Sequence, residues 1–326
     1  MRKRITFDEA ASMLHTRAEV LATGVAERQL QLLVQAGVWK RVHRGQYVRG
    51  DEWSTLWPEG QQLVRVLAFA RSSPARGPVF THISAAVLWG LPLYMVLDAY
   101  VHILIAGVRH ARRARGVMRH ALIVGDDDIV EINGLLCTSL ARTVFDLART
   151  MSPEAAVSAG DAAQRQFAVT GHTLDTDRAE QWRDQLRTLT TSTARGVRKA
   201  RWLAEFADGR AQLPGESVSR YRLHQLGFRD VELQVPVSGA NGDEYFLDFG
   251  FRRSRKFGEF DGEGKYLEPE LRSAPTAEDT VLAEKRREDD VRGVTGWGLG
   301  RWGHAHIDTA HTLGRRLAAF GILPPG

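Results

Sequence analysis

Asp248, Glu259 and Asp261 are the residues whose types and spacing come nearest to a reaction centre. Asp248 sits between Leu247 and Phe249 in the run EYFLDFGF, which reads as a strand. Glu259 follows after ten intervening residues, and Asp261 lies two beyond it in KFGEFDG. Side chains two apart on a strand leave the same face. A turn at Arg252-Arg253-Ser254 sends the chain back, so Asp248 is expected beside the Glu259–Asp261 pair. Carboxylates so placed repel one another. Flanked by Phe246, Phe249, Phe257 and Phe260, they are costly to bury unless a cation joins them. An all-oxygen cluster of this kind suits Mg2+ or Mn2+ and not zinc. A solvated acidic face, with Asp261-Gly262 as a plain turn, is the alternative.

The elements that must position these residues read as helix (GESVSRYRLHQLGF), strand (VELQVPV), two further strands, and a long helix in EDTVLAEKRREDDVRGVTGW. The long helix, Glu278 to Gly293, alternates acids and bases and reads mainly as an ion-pair face. Lys285 and Arg286 on it are available to brace a phosphate.

The set ESVSRYRLHQLGF, LDFGF, EFDGEGKY, EKRRED and GWGLGRW, in that order over about a hundred residues, resembles the PD-(D/E)XK nuclease fold. It is most similar to the subgroup related to very-short-patch-repair endonucleases, with its E-x-D-G form. The resemblance implies a metal-dependent DNA endonuclease with Asp248 and Glu259 as the main metal ligands. It makes Asp261 a further ligand or a neighbour of one, and Glu216 the helical acid that completes the site. Asp261 stands where the family pattern has lysine, and Lys265, four residues on, is the candidate replacement. A domain that binds DNA without cutting it is the alternative. So are plain readings of Glu216 as a helix-start acid and of Lys265 as a solvated loop lysine.

The first fifty residues read as three short helices, Ile5 to Leu14, Arg17 to Ala22 and Val25 to Ala36, with Gly24 suited to a left-handed cap. A strand-turn-strand follows over Val38 to Val48, with Gly45 free to take a positive φ. Three helices closed by a basic hairpin predict a winged helix-turn-helix. Its third helix would present Arg28 and Gln29 to base edges, with Gln31 and Gln35 further along. The hairpin would bring Lys40, Arg41, His43 and Arg44 to phosphates. A winged helix used only for packing is the alternative.

Between about 55 and 165, helices are predicted over Leu56 to Ser72, Thr138 to Arg149 and Met151 to Arg165, and the run Phe80 to Ala86 leads into a further helix that ends near Gly90. Strands are predicted over Tyr100 to Ala106, Val117 to Val124 and Ile129 to Cys137. The segments TRAEVLATGVAERQLQLLVQAGVWKRVHRGQYV, THISAAVLWGLPL and GLLCTSLARTVFDLAR resemble the AbiEi family of antitoxins and autoregulators of type IV toxin–antitoxin systems. That resemblance covers roughly residues 1 to 165 and implies a non-catalytic DNA-binding regulator with a cognate toxin as protein partner. Thr81, His82 and Ser84 read as a helix-start cap rather than a catalytic set, and Arg142 with Asp146 as a surface ion pair.

The chain has 326 residues, enough for two or three domains. An α+β, multidomain architecture is expected: winged helix-turn-helix (1–52), mixed α/β domain (53–167), helical connector (168–213) and restriction-endonuclease-like PD-(D/E)XK domain (214–326). The lone Cys137 excludes an internal disulfide and, with no apolar stretch behind MRKRITFDEA, points to the cytoplasm. Tyr94 to Val108 is too short and too polar to span a membrane. The net charge is +5. The basic residues run together at Lys40–Arg44, at Arg195–Arg201 and at Arg109–His120, where Arg112 and Arg113 are further candidates for DNA contact.

Overall fold

The computed structural model describes residues 3–74, 77–105, 112–114, 116–262 and 277–325. It has a mixed α/β composition and divides into two compact units, Met1–Ala159 with Arg183–Glu205, and Gly160–Trp182 with Phe206–Gly326. Among the described residues no helix is long and apolar enough to cross a membrane.

In the first unit, α1 (Phe7–Ser12) and α2 (Arg17–Ala22) each open on a threonine. Thr6 and Thr16 accept from the backbone N–H of Glu9 and Glu19, whose carboxylates accept from the threonine N–H in return. This reciprocal capping satisfies two orphan donors and fixes where such short helices begin. β1 (His15–Thr16) lies between them, and α3 (Glu27–Gln35) follows Gly24 at φ +90°. The hairpin β2 (Trp39–His43) and β3 (Gln46–Arg49) completes a sheet of order β1-β3-β2. Val20, Leu30, Trp39 and Tyr47 form the core that binds helices to hairpin.

After α4 (Gly50–Ser54) and α5 (Pro58–Arg71), α6 (His82–Leu88) leads to a second sheet. Its strands are β4 (Val101–Ile105), β5 (Arg112–Ala114) and β6 (Val117–Ala121), in the order β4-β6-β5 with β4 and β6 parallel. The strand expected over Ile129 to Cys137 is instead a hairpin, β7 (Ile129–Ile132) and β8 (Leu135–Thr138). Asn133 and Gly134 both take positive φ, +49° and +78°, the pairing that a tight two-residue hairpin demands.

α7 (Leu140–Thr150) carries a second correction. Arg142 and Asp146 are buried, not on the surface. Arg142 donates to Asp146 at 3.0 Å, to Asp128 at 3.1 Å and to the Ile123 carbonyl at 2.9 Å, and Arg149 donates to Asp146 at 2.9 Å. Helical spacing gave the pair. The burial comes from neighbours distant in sequence. Thr81 and Ser84 likewise do not cap α6 with their side chains. The Thr81 hydroxyl lies 3.2 Å from His82 Nδ1, and Ser84 Oγ accepts from the backbone of His102 on β4. Strand β4 takes the Ser84 hydroxyl, and the Thr81 hydroxyl at the cap position turns to the His82 ring instead.

The chain continues through α8 (Pro153–Ala168), the short pair β9 (Val169–Thr170) and β10 (Thr173–Leu174), α9 (Thr176–Leu189) and α10 (Val197–Phe206). The rest of the second unit is α11 (Pro214–Gln225), β11 (Glu232–Ser238), β12 (Glu244–Phe251), β13 (Lys256–Asp261), α12 (Ala277–Thr295), β14 (Gly298–Gly303) and α13 (Ala310–Ala318). The sheet order is β11-β12-β13-β14, antiparallel except for the parallel pair β13–β14. Val291 of α12 packs with Val237, Leu247 and Phe257. Burying each such side chain is worth roughly 1.5–3 kcal/mol. Elsewhere in the unit Gly215 of α11 meets the Phe260 ring so closely that a Cβ would overlap it, and Trp302 Nε1 donates to Ser219 Oγ at 2.9 Å.

Candidate functional site

The acidic residues of the second unit converge where strand pairing fails. The β12–β13 ladder runs from Phe251↔Lys256 to Phe249↔Gly258 and stops there. At that fork Asp248 turns its carboxylate toward β13 and accepts the Phe260 N–H at 2.9 Å. Its neighbours Leu247 and Phe249 pair with Val235 and Leu233, so Gln234 sits opposite Asp248. Gln234 has φ +49°, which breaks the alternation of β11 and brings its amide into the site. That amide lies 3.3 Å from Asp248 Oδ1 and 3.4 Å from Glu216 Oε2. Glu216, in the first turn of α11, also accepts the Gln212 N–H at 2.8 Å. Glu216, Asp248 and Glu259 are all buried, being 3%, 9% and 4% exposed.

Cations do join Glu259 and Asp261, and they come from the protein. Arg301 is the register partner of Glu259 across the β13–β14 ladder. It lies 3.0 Å from Glu259 Oε2 and 3.1 Å from Asp261 Oδ1, and also pairs with Glu284. Arg287 of α12 holds Glu259 Oε1 at 2.6 Å and Glu284 at 3.0 Å. Burial still pushes the Glu259 carboxyl above the ordinary range. Arg287 and Arg301 oppose that shift, and the nearby Asp248 adds to it. Burial acts the same way on Glu284, but Arg301 and Arg287 outweigh it and hold that carboxyl low.

Of the residues singled out from sequence, the structure brings Glu216, Asp248, Glu259 and Asp261 to one end of the sheet. Lys265 lies outside the described residues. Lys285 and Arg286 are exposed, and it is Arg287 that turns inward. Sequence reasoning missed Gln234, Arg287 and Arg301. A glutamine within the apolar run VELQVPV was a signal for the first. The donor set fits a hard divalent cation in its chemistry, being all oxygen, although both oxygens of Glu259 are engaged by guanidinium groups.

On the first unit, α3 and the β2–β3 hairpin border an open cleft of about 550 Å³, lined by Arg17, Gln31, Gln35, Arg41, Arg44 and Tyr47 among others. Arg28, Lys40, Arg41 and Arg44 are exposed. Gln29 spends its side-chain carbonyl on the Ala26 N–H, capping α3. His43 packs edge-on against Phe69, and burial, reinforced by Arg41, lowers its pKa. Arg112 and Arg113 fall on β5, but their side chains lie outside the described residues.

No family model matches this chain. Uncharacterized proteins from two strains of Mycobacterium tuberculosis are each 29% identical to it over 237 residues, covering 71% of this chain and 82% of the relative.

Proposed function

We propose that this protein binds DNA through its N-terminal helices and hairpin and carries, in its second unit, the acidic centre of a metal-dependent DNA endonuclease. The observation that carries the reading is the buried meeting of Glu216, Asp248 and Glu259, drawn from a helix and two strands that part at that point. The order α11-β11-β12-β13-α12-β14, with the last strand parallel, supports a PD-(D/E)XK restriction-endonuclease-like core over 214–326. The α1-β1-α2-α3-β2-β3 order supports a winged helix-turn-helix over 1–52, followed by an AbiEi-like mixed domain over 53–167 and a connector over 168–213.

Asp248 and Glu259 would hold Mg2+ or Mn2+, with Asp261 as a further ligand. When bound, such an ion polarises the scissile phosphate and lowers the pKa of its water. Glu216 and Gln234 set the Asp248 carboxylate. Arg287 and Arg301 bring the positive charge that the motif lysine brings elsewhere. Asp248→Asn should abolish Mg2+- or Mn2+-dependent nicking and leave DNA affinity within twofold. Wild-type protein that binds DNA yet leaves duplex, mismatched and single-stranded substrates intact with both metals refutes the nuclease.

The grip of two arginines on Glu259 favours a second reading, an antitoxin-like transcriptional regulator whose nuclease fold no longer cuts and instead meets a cognate toxin or other protein partner. It predicts salt-sensitive binding to a short operator. The two readings separate on nicking alone.

A further inference from the structure

The first unit buries three histidines against one another, at a place the carboxylate chemistry does not use. His102 on β4 and His120 on β6 lie on neighbouring parallel strands, where the partners are His102↔Met118 and Leu104↔His120. Met118 and His120 are two apart, so His102 and His120 share a face of the sheet. His82 opens α6 beside β4, where the Thr81 N–H donates to the His102 carbonyl at 3.1 Å. His82 is 3% exposed and His102 6%. One ring nitrogen from each of the three lies within 4.8 Å of the others.

Each ring's other contacts decide which nitrogen faces inward. His102 Nε2 lies 3.1 Å from Asp98 Oδ2, which leaves Nδ1 toward the cluster, 2.9 Å from His120 Nε2. The Thr81 hydroxyl stands 3.2 Å from His82 Nδ1, leaving Nε2 for the cluster. A carboxylate on the far nitrogen of one imidazole and a hydroxyl on that of another is the outer-shell arrangement that orients metal-binding histidines. His82 also holds φ +49°, a conformation that costs a non-glycine residue on the order of 1–3 kcal/mol. Ordinary packing needs neither the strain nor three polar rings where phenylalanine would serve.

We propose that His82, His102 and His120 form a site for one divalent transition-metal ion of the zinc class. Imidazole nitrogen selects zinc, cobalt, nickel or copper over magnesium and calcium. Three protein ligands leave a fourth position for water or another donor. Nitrogens at about 2.0–2.1 Å from a tetrahedral ion stand roughly 3.3 Å apart, so the His102–His120 pair has only to open by a few tenths of an ångström. Burial, reinforced by the neighbouring histidines, pushes His82 well down and His120 to about 4, which keeps both rings neutral and able to coordinate. The site is separate in residues and in chemistry from the oxygen set around Asp248.

The test is titration of the full chain, tag-free and stripped with chelator, with Co2+ and then Zn2+. The expected result is one Co2+ per chain with the visible bands of tetrahedral coordination, displaced by Zn2+, and a melting temperature raised by Zn2+. His120→Gln and His102→Gln should each weaken binding by more than tenfold, while His311→Gln, at an exposed histidine of α13, leaves it unchanged. Asp98→Asn, which keeps all three rings, should weaken it by about 10–100-fold and serves if the ring variants do not fold. Absence of tetrahedral Co2+ bands and of stoichiometric Zn2+ binding overturns the proposal. So does undiminished affinity in folded His120→Gln or in Asp98→Asn.

Discussion

Arg301 faces Glu259 directly across the parallel β13–β14 ladder and lies 3.0 Å from its Oε2, so the strand that closes the sheet also supplies the charge that its most buried acid needs. The same guanidinium reaches Asp261 and Glu284. Removing it leaves Glu259 with Arg287 alone. Arg301→Ala is expected to cost about 3 kcal/mol, near the lower end for removing one partner of a buried pair. The check is the urea midpoint at unchanged slope. Arg292→Ala, which breaks exposed pairs with Glu288 and Asp289, should cost under about 1 kcal/mol.

Gly215 is where α11 touches β13. A methyl group there would overlap the Phe260 ring, so Gly215→Ala must push the helix off the strand. Overpacking of this kind costs typically 1–3 kcal/mol. Glu216 rides on the same turn, so any divalent-ion affinity of the Asp248 site should fall along with the melting temperature. Gly227→Ala meets empty space but strains a φ of +92°, and should lower stability without touching ion affinity.

The exposed arginines of the hairpin make a salt-dependent prediction. Arg44→Ala and Arg41→Ala should each weaken binding to all DNA sequences alike and reduce the slope of log K against log salt by about 1. Arg28→Ala should instead narrow the gap between preferred and random sequence. Unchanged slopes in the hairpin variants would move the phosphate contacts elsewhere on the molecule.

Cys137 is fully buried, and burial pushes its thiol up to about 12. An unfolded thiol titrates near 8.5. The native state therefore keeps a proton that the unfolded state loses, and stability falls as pH rises from about 8.5 toward 12. By pH 10 the loss from this group alone is roughly 2 kcal/mol. Cys137→Ala should show a correspondingly shallower alkaline decline. In the native protein the thiol should resist a disulfide reagent at pH 8 and react at once in denaturant.

Local pattern carried much of the architecture. Two-residue alternation and the Arg252–Ser254 turn were enough to set Asp248 next to Glu259, whereas the threonine–glutamate caps that start α1 and α2 went unread, and the first helix begins at Phe7 instead of Ile5. What stayed hidden came from distance or from broken alternation. Gln234 enters the site only because its backbone leaves the extended region. Arg287 and Arg301 reach Glu259 from 28 and 42 residues further along the sequence. The Asn133-Gly134 turn was written in the chain, but apolar residues on both sides made one strand of two. His82, His102 and His120 meet through a parallel pairing whose partners are not hairpin neighbours.

The parallel docking of β14 has a consequence for biosynthesis. Asp261 leaves the ribosome 40 residues ahead of Arg301, an interval of a few seconds at roughly 5–20 residues per second. During that interval Glu259 and Asp261 of β13 have no Arg301 to neutralise them. The antiparallel strands can pair as they emerge, yet Glu259 cannot be buried at low cost until the later strand arrives. The second unit therefore matures in one late step, and a nascent chain halted between the two residues is expected to be protease-sensitive there.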